Sequence, residues 1–177
     1  MTAVPVPRTW TAGEVVTAAN MNTYITGVDT FLLNPPIMQV RQTVAQSLTS
    51  AAYTGLTFDT EDVDSANMHS TVTNTSRATA VYQGWYHFDG GSSWNSNATG
   101  RRGGTWGVNG AITVAGEALA PAVAATVVEF PMRPLFVFMN VGDYVELQAF
   151  QDSGGALSTF VTNPRNDPSM SCKWVSN

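Results

Sequence analysis

Few residues of this chain could carry catalysis, and their spacing gives little to work with. There are two histidines, His69 and His87, and one cysteine, Cys172. Two histidines are too few for a histidine-rich metal site. One cysteine excludes an intrachain disulfide and a cysteine-built zinc site. Cys172 lies in the alternating run Met170 to Val175, which suits a small apolar packing residue. A nucleophilic pair would need the fold to bring Cys172 to a histidine, and nothing in the sequence asks for that. No GxSxG, HExxH or P-loop pattern occurs.

The acidic residues cluster once, at Asp59, Glu61, Asp62 and Asp64. Several carboxylates on one loop can hold a hard cation such as calcium. The glycine and distal glutamate of an EF-hand loop are missing here, so a solvated loop is the first reading and a cation site the alternative. A glycosidase needs two carboxylates about 5–9 Å apart, and no motif singles out such a pair. Tryptophans can stack on sugar rings or fill a core. Trp94 lies in Gly90 to Gly100, a stretch of Gly, Ser, Asn and Thr. As a loop, that stretch would expose Trp94 beside Arg101 and Arg102 as a ligand-binding surface; as a strand, it would bury Trp94. The chain therefore reads as a non-enzyme, with no catalytic residue, cofactor or metal expected.

Composition narrows the partners. The chain has 177 residues and a net charge of −5, and 12% of it is charged. A typical domain carries about 25% charged residues. Disorder is excluded by 44% hydrophobic and 10% aromatic content. Acidity argues against nucleic acid, which needs a basic face. Lys173 is the sole lysine among eight basic residues, and a lysine-poor surface hints at cover by other subunits. The N-terminal residues are broken by Pro5 and Pro7 and lack the apolar core of a signal peptide. The most apolar stretch, Ala111 to Phe130, is interrupted by Glu117 and Pro121 and fails as a membrane span.

The length predicts one domain with a short appendage, and the pattern changes at Pro35-Pro36. Before it, Met21, Ile25, Val28 and Leu32 recur at heptad spacing, with Tyr24 and Phe31 widening the stripe. Thr17 is the expected N-cap and Asn34-Pro35-Pro36 the stop. A helix of about 16 residues is marginal alone in water, so its stripe must pack on its own domain or on copies of itself. Thr11 and Glu14 have capping-box spacing, weakened by Gly13. Trp10, on a proline-rich leader, is either a docking knob for another subunit or a side chain that folds back onto the rest of the chain.

After Pro36, strand-length runs alternate with turn signals. The expected strands are Ile37 to Val44, Ala52 to Phe58, Thr71 to Asn74, Ala78 to Phe88, Arg102 to Val108, Ala111 to Val114, Val123 to Phe130, Pro134 to Asn140, Tyr144 to Gln151, Leu157 to Thr162 and Ser169 to Val175. Asp89-Gly90-Gly91 is expected to end one strand, and Asn109-Gly110 to form a hairpin. About ten short strands with no helices between them predict a mainly β fold, an antiparallel jelly-roll sandwich preceded by a short N-terminal helix.

Two resemblances follow from particular residues. The stretch Trp10 to Asn22 (WTAGEVVTAANMN), with Phe31-Leu32, resembles the N-terminal segment of tail and fibre proteins of tailed bacteriophages, especially those of actinobacteria. The β region resembles the trimeric jelly roll of complement globular heads and tumour necrosis factor. It does so through Leu56-Thr57-Phe58-Asp59, Gly84-Trp85-Tyr86-His87-Phe88, Gly100-Arg101-Arg102 before Asn109-Gly110, Gly142-Asp143-Tyr144-Val145 and Ser169 to Trp174.

Together these imply a virion protein: residues 1–35 as an anchoring arm and residues 36–177 as a ten-stranded jelly roll in a threefold trimer. The arm would bind other virion proteins through Trp10, Met21, Ile25, Val28 and Leu32. Candidate residues at the trimer axis are Tyr86, Phe88, Phe136, Phe138, Tyr144 and Trp174, because aromatics are enriched at interface cores. The outward jelly roll would contact a host-surface glycan or protein. The alternatives are a head-decoration or tail-tip protein without receptor binding, a surface-polysaccharide hydrolase, and a free-standing ligand-binding jelly roll.

Overall fold

A computed structural model describes residues 4–112, 116–124 and 126–177. The N-terminal helix runs unbroken through an α-turn at Ala18–Met21, a π-turn at Asn22–Thr26 and a final α segment at Gly27–Leu33. Its ends are those expected. Thr17 is extended (φ −92°, ψ 159°), and its hydroxyl accepts from the Asn20 N–H at 3.2 Å. At the other end the Asn34 N–H reaches the Thr30 carbonyl at 3.0 Å, and Pro35-Pro36 cannot continue the helix. The π-turn, closed by the Gly27 N–H on the Asn22 carbonyl, was not legible from spacing. Thr11 and Glu14 do not start a helix. Gly13 takes φ +83°, and the Glu14 N–H bonds the Thr11 carbonyl at 3.0 Å, which closes a turn instead.

The strands are β1 Ile37–Arg41, β2 Ser47–Leu48, β3 Ala52–Gly55, β4 Thr60–Asp64, β5 Arg77–Thr79, β6 Gly84–Trp94 and β7 Arg101–Val108. There follow β8 Ala111–Ile112, β9 Ala118–Pro121, β10 Val128–Pro131, β11 Leu135–Met139, β12 Tyr144–Gln151, β13 Leu157–Ser158 and β14 Ser169–Ser176. The described residues thus hold fourteen strand segments against eleven expected runs: Ala78 to Phe88 divides into β5 and β6, Thr71 to Asn74 forms none, and β2, β4 and β9 lie outside the expected runs. They form two six-stranded antiparallel sheets. One has the order β10-β6-β14-β1-β4, with β11 also on β6. The other has the order β3-β12-β7-β8, with β5 on β12 and β9 on β7. A short β13-β2 ladder completes the set.

Inward residues of the two sheets meet in one core. Met38, Val40, Tyr86, Phe88 and Met170 face Trp106, Val145 and Leu147 from the other sheet, and Phe88 lies 5.9 Å from Trp106 between ring centroids. The polar tips of the buried aromatic residues Tyr86, Trp106 and Trp174 are satisfied, as burial demands. Tyr86 Oη donates to the Tyr82 carbonyl at 2.8 Å, and the Trp106 and Trp174 indole N–H groups donate to the carbonyls of Arg133 (2.7 Å) and Gln83 (3.1 Å).

Three strand expectations need correction. Thr71 to Asn74 is a run of bends, and the strand in that region is the acidic run itself, β4. Ala78 to Phe88 is not one strand: β5 joins the second sheet, and β6 begins only at Gly84 in the first. Gly84 makes this break, with φ +146°. A Cβ there would stand 2.4 Å from the Ser176 carbonyl oxygen and from Trp174 Nε1. Finally, β6 runs straight through Asp89-Gly90-Gly91 rather than ending there. Gly90 is needed because β14 approaches closely; a Cβ would lie 2.5 Å from the Ser169 carbonyl oxygen. The Asn109-Gly110 hairpin forms as expected, with φ +51° and +81°. Val114 lies outside the described residues. Among those described, no helix is long and apolar enough to cross a membrane.

Candidate assembly interface

Strand alternation on β6 sorts its aromatic residues to two sides. Tyr86 and Phe88 point inward and are each 1% exposed, while Trp85 is 45% exposed. The antiparallel register places Phe138 of β11 beside Trp85, and Phe136 beside His87. Trp85 and Phe138 meet edge-to-face at 5.8 Å, and His87 stacks on Phe136 at 4.4 Å. Phe136 is 61% exposed and Phe138 40%. The first sheet therefore presents a block of four rings on its outer face. Large exposed apolar patches of this kind mark interaction sites.

The block continues onto the helix. A cavity of about 320 Å³ opens between Leu32 and Pro35 on the arm and His87, Phe136, Lys173 and Val175 on the sheet. Phe31 pins the helix end, packing edge-on against Tyr82 (5.0 Å) and Trp174 (4.9 Å), and Val4 also touches the core. No helix residue is fully buried. Met21, Ile25, Leu32 and Leu33 are exposed and Val28 is half-buried, so the apolar stripe is only partly covered within the protomer. Trp10 folds back, but onto its own helix. It meets Tyr24 edge-on at 6.4 Å, and the Arg8 guanidinium lies over both rings and pairs with Glu14.

Several candidate residues stand elsewhere than expected. Tyr86, Phe88 and Trp174 belong to the protomer's own core, so they cannot form a face between protomers. Phe136 and Phe138 are on the outer face. Tyr144 is on the second sheet, half-buried, with the Arg77 guanidinium 3.9 Å from its ring centroid. Trp85 and His87 complete the aromatic face, and the alternation along β6 was the signal that could have found them. Trp94 is wholly buried because its segment is strand; its indole N–H donates to Ser92 Oγ at 3.0 Å. Arg102 is also buried. Its guanidinium donates to the carbonyls of Arg101 (2.8 Å) and Asn97 (3.4 Å), and burial lowers its pKa. Of the three, only Arg101 stays at the surface, where it pairs with Asp152 at 2.8 Å. The expected ligand loop is therefore not formed.

The acidic run is spent on internal contacts. Asp59 accepts from the N–H groups of Thr43 (2.9 Å) and Val44 (2.8 Å), and Asp64 from those of Ala66, Met68 and His69. Glu61 meets His69 Nδ1 at 3.0 Å, and Asp62 pairs with Arg41 at 3.0 Å. Among the described residues no group of three or more His, Cys, Asp or Glu is placed to hold a metal ion. Burial works to raise the Asp59 pKa, but the hydrogen bonds from Thr43, Val44 and Thr60 outweigh it and leave the carboxyl below its ordinary value. A carboxyl with a depressed folded-state pKa stabilises the fold above its unfolded pKa, and that contribution fades as pH falls through the folded value. Asp59→Asn should therefore flatten the acid limb of the melting temperature below about pH 4, as read by calorimetry.

Cys172 is buried, and burial, helped by the nearby Asp64 charge, pushes its thiol up to about 12. Its thiol meets the Met68 sulfur at 4.0 Å. Native protein at pH 8 should resist iodoacetamide and be alkylated only after unfolding, which mass spectrometry reads directly.

No protein-family model matches the sequence, and no curated protein is significantly similar to it. Solved structures do match. The globular domain of a zebrafish complement 1qA protein aligns with TM-score 0.57 and 12% identity, over 80% of this chain and 99% of that one. Murine APRIL aligns with TM-score 0.57 and 8% identity, over 78% of this chain and 98% of that one. The fold is the complement and tumour-necrosis-factor jelly roll. At these identities the likeness establishes the fold and nothing finer. Within that jelly roll the aromatic block lies on one sheet, and the helical arm is added at its N-terminal end.

Proposed function

We propose that this chain is a structural protein of a tailed-phage virion: a homotrimeric spike anchored by residues 1–35, whose jelly roll faces outward to the host surface. The observation that carries this reading is the set of exposed apolar side chains Met21, Ile25 and Leu32 on the helix and Phe136 and Phe138 on the sheet, with Leu32 and Phe136 lining one cavity. A chain with 12% charged residues and such a surface is built to be covered. Closed threefold symmetry would cover the sheet block without open-ended association. The helix stripe then remains for neighbours in the particle, in keeping with the resemblance of residues 10–32 to phage tail and fibre proteins.

Host contact is tested by competition. Purified protein at micromolar concentration should reduce phage adsorption to host cells in a saturable way. Protein that is present in particles but never competes would make the chain a decoration or tail-tip piece without receptor binding.

A further inference from the structure

At the far end of β6 from the aromatic block, the same outer face opens into a polar cleft of about 420 Å³. From Trp85 to Gly91 is six residues, or about 20 Å of strand. The cleft has a simple origin. Register sets Gly91 between Pro131 of β10 and Ser169 of β14, so the centre of this cross-strand row carries no side chain. Asp89, Glu129, Phe130, Arg165 and Asn166 stand around the gap.

These groups are held in place from behind. Ser93 Oγ donates to the Asn166 carbonyl, and Asn166 Nδ2 donates to Glu129. Arg41 meets Asp167 at 3.7 Å, which fixes the loop carrying Arg165. Two charged groups keep free capacity. Among the described residues, the Asp89 carboxylate accepts only the adjacent Gly90 N–H, at 2.8 Å, and the Arg165 side chain has no hydrogen-bond or ion-pair partner.

The charge balance selects the ligand. Carboxylates from Asp89, Glu129 and Asp167 outnumber the cations, which disfavours phosphate or another anion. No set of three metal-ligating side chains converges here among the described residues. What remains is a surface dense in acceptors, with one amide and one guanidinium. A carboxylate can accept two neighbouring hydroxyls, and a guanidinium can donate to ring and hydroxyl oxygens.

We infer that this cleft is a binding site for a neutral saccharide, with Asp89 and Arg165 as its principal polar contacts. The inference stands apart from the virion reading. Sugar binding with no effect on phage adsorption would leave it intact while removing host contact. The test uses the full-length protein in its native assembly, titrated with D-galactose, D-glucose, D-mannose and D-arabinose and followed by saturation-transfer NMR. At least one should bind saturably with a Kd of about 1–10 mM. Asp89→Ala and Arg165→Ala should each weaken that binding at least about fivefold, while Asp29→Asn, on the exposed helix, leaves it unchanged. Both substituted residues are exposed, so a melting temperature within about 2 °C of wild type is expected for each. Absence of saturable binding to all four sugars, or equal affinity in the cleft variants, would overturn the inference.

Discussion

Aspartate at both Phe136 and Phe138 should dissociate the proposed trimer into folded protomers of 18.9 kDa. Both rings are more than a third exposed in the protomer, so the change removes little from its core. In an assembly that buries this face, each phenylalanine contributes about 1.5–3 kcal/mol, and each carboxylate taken out of water costs several kcal/mol more. The penalty recurs in three subunits, which is ample to reverse a micromolar association. The protomer should keep its cooperative melt, because Trp106, Phe88 and Tyr86 remain packed behind the sheet. Light scattering coupled to size exclusion reads the mass. A double variant that keeps the wild-type mass would remove this face from the interface.

Deleting residues 1–34 should leave the jelly roll folded and assembled but absent from phage particles. The arm makes few contacts with the sandwich: Phe31 on Tyr82 and Trp174, and Val4 at the core edge. Their loss costs about 3 kcal/mol at most by area, a tolerable fraction for a domain with a continuous two-sheet core. Met21, Ile25 and Leu32 are 44%, 39% and 60% exposed, which leaves much of their apolar surface for the neighbours proposed above. Complementing a deletion phage with the truncated chain and probing purified particles by immunoblot gives the answer. Truncated protein at wild-type copy number would show that the arm is not the anchor.

The sequence revealed the elements better than their sidedness. Thr17, Asn34 and the proline pair marked the helix because capping and proline chemistry are local. Tyr144–Gln151 and the Asn109-Gly110 hairpin were legible for the same reason. On β6, alternation separated Tyr86 and Phe88 from Trp85 and His87, but period two does not say which set meets the other sheet. The aromatic side assigned to the axis was therefore the core side. The glycines misled in the opposite sense. Gly90 and Gly91 look like a turn, yet they sit inside a strand because β14 and β10 come close, and that closeness is tertiary. Trp94 followed this error: with the strand ended early, it seemed free to meet a ligand. The acidic run looked like solvated loop because its partners, from Thr43 to His69, are brought to it only by β1 and the turn after β4.

In the proposed assembly, three copies of this low-charge chain close over the Trp85–His87–Phe136–Phe138 face. Sedimentation equilibrium of the full-length protein at about 1 μM tests it most directly. The expected result is a single species of about three times 18.9 kDa, with no protomer present. A monodisperse 18.9-kDa protomer would contradict it.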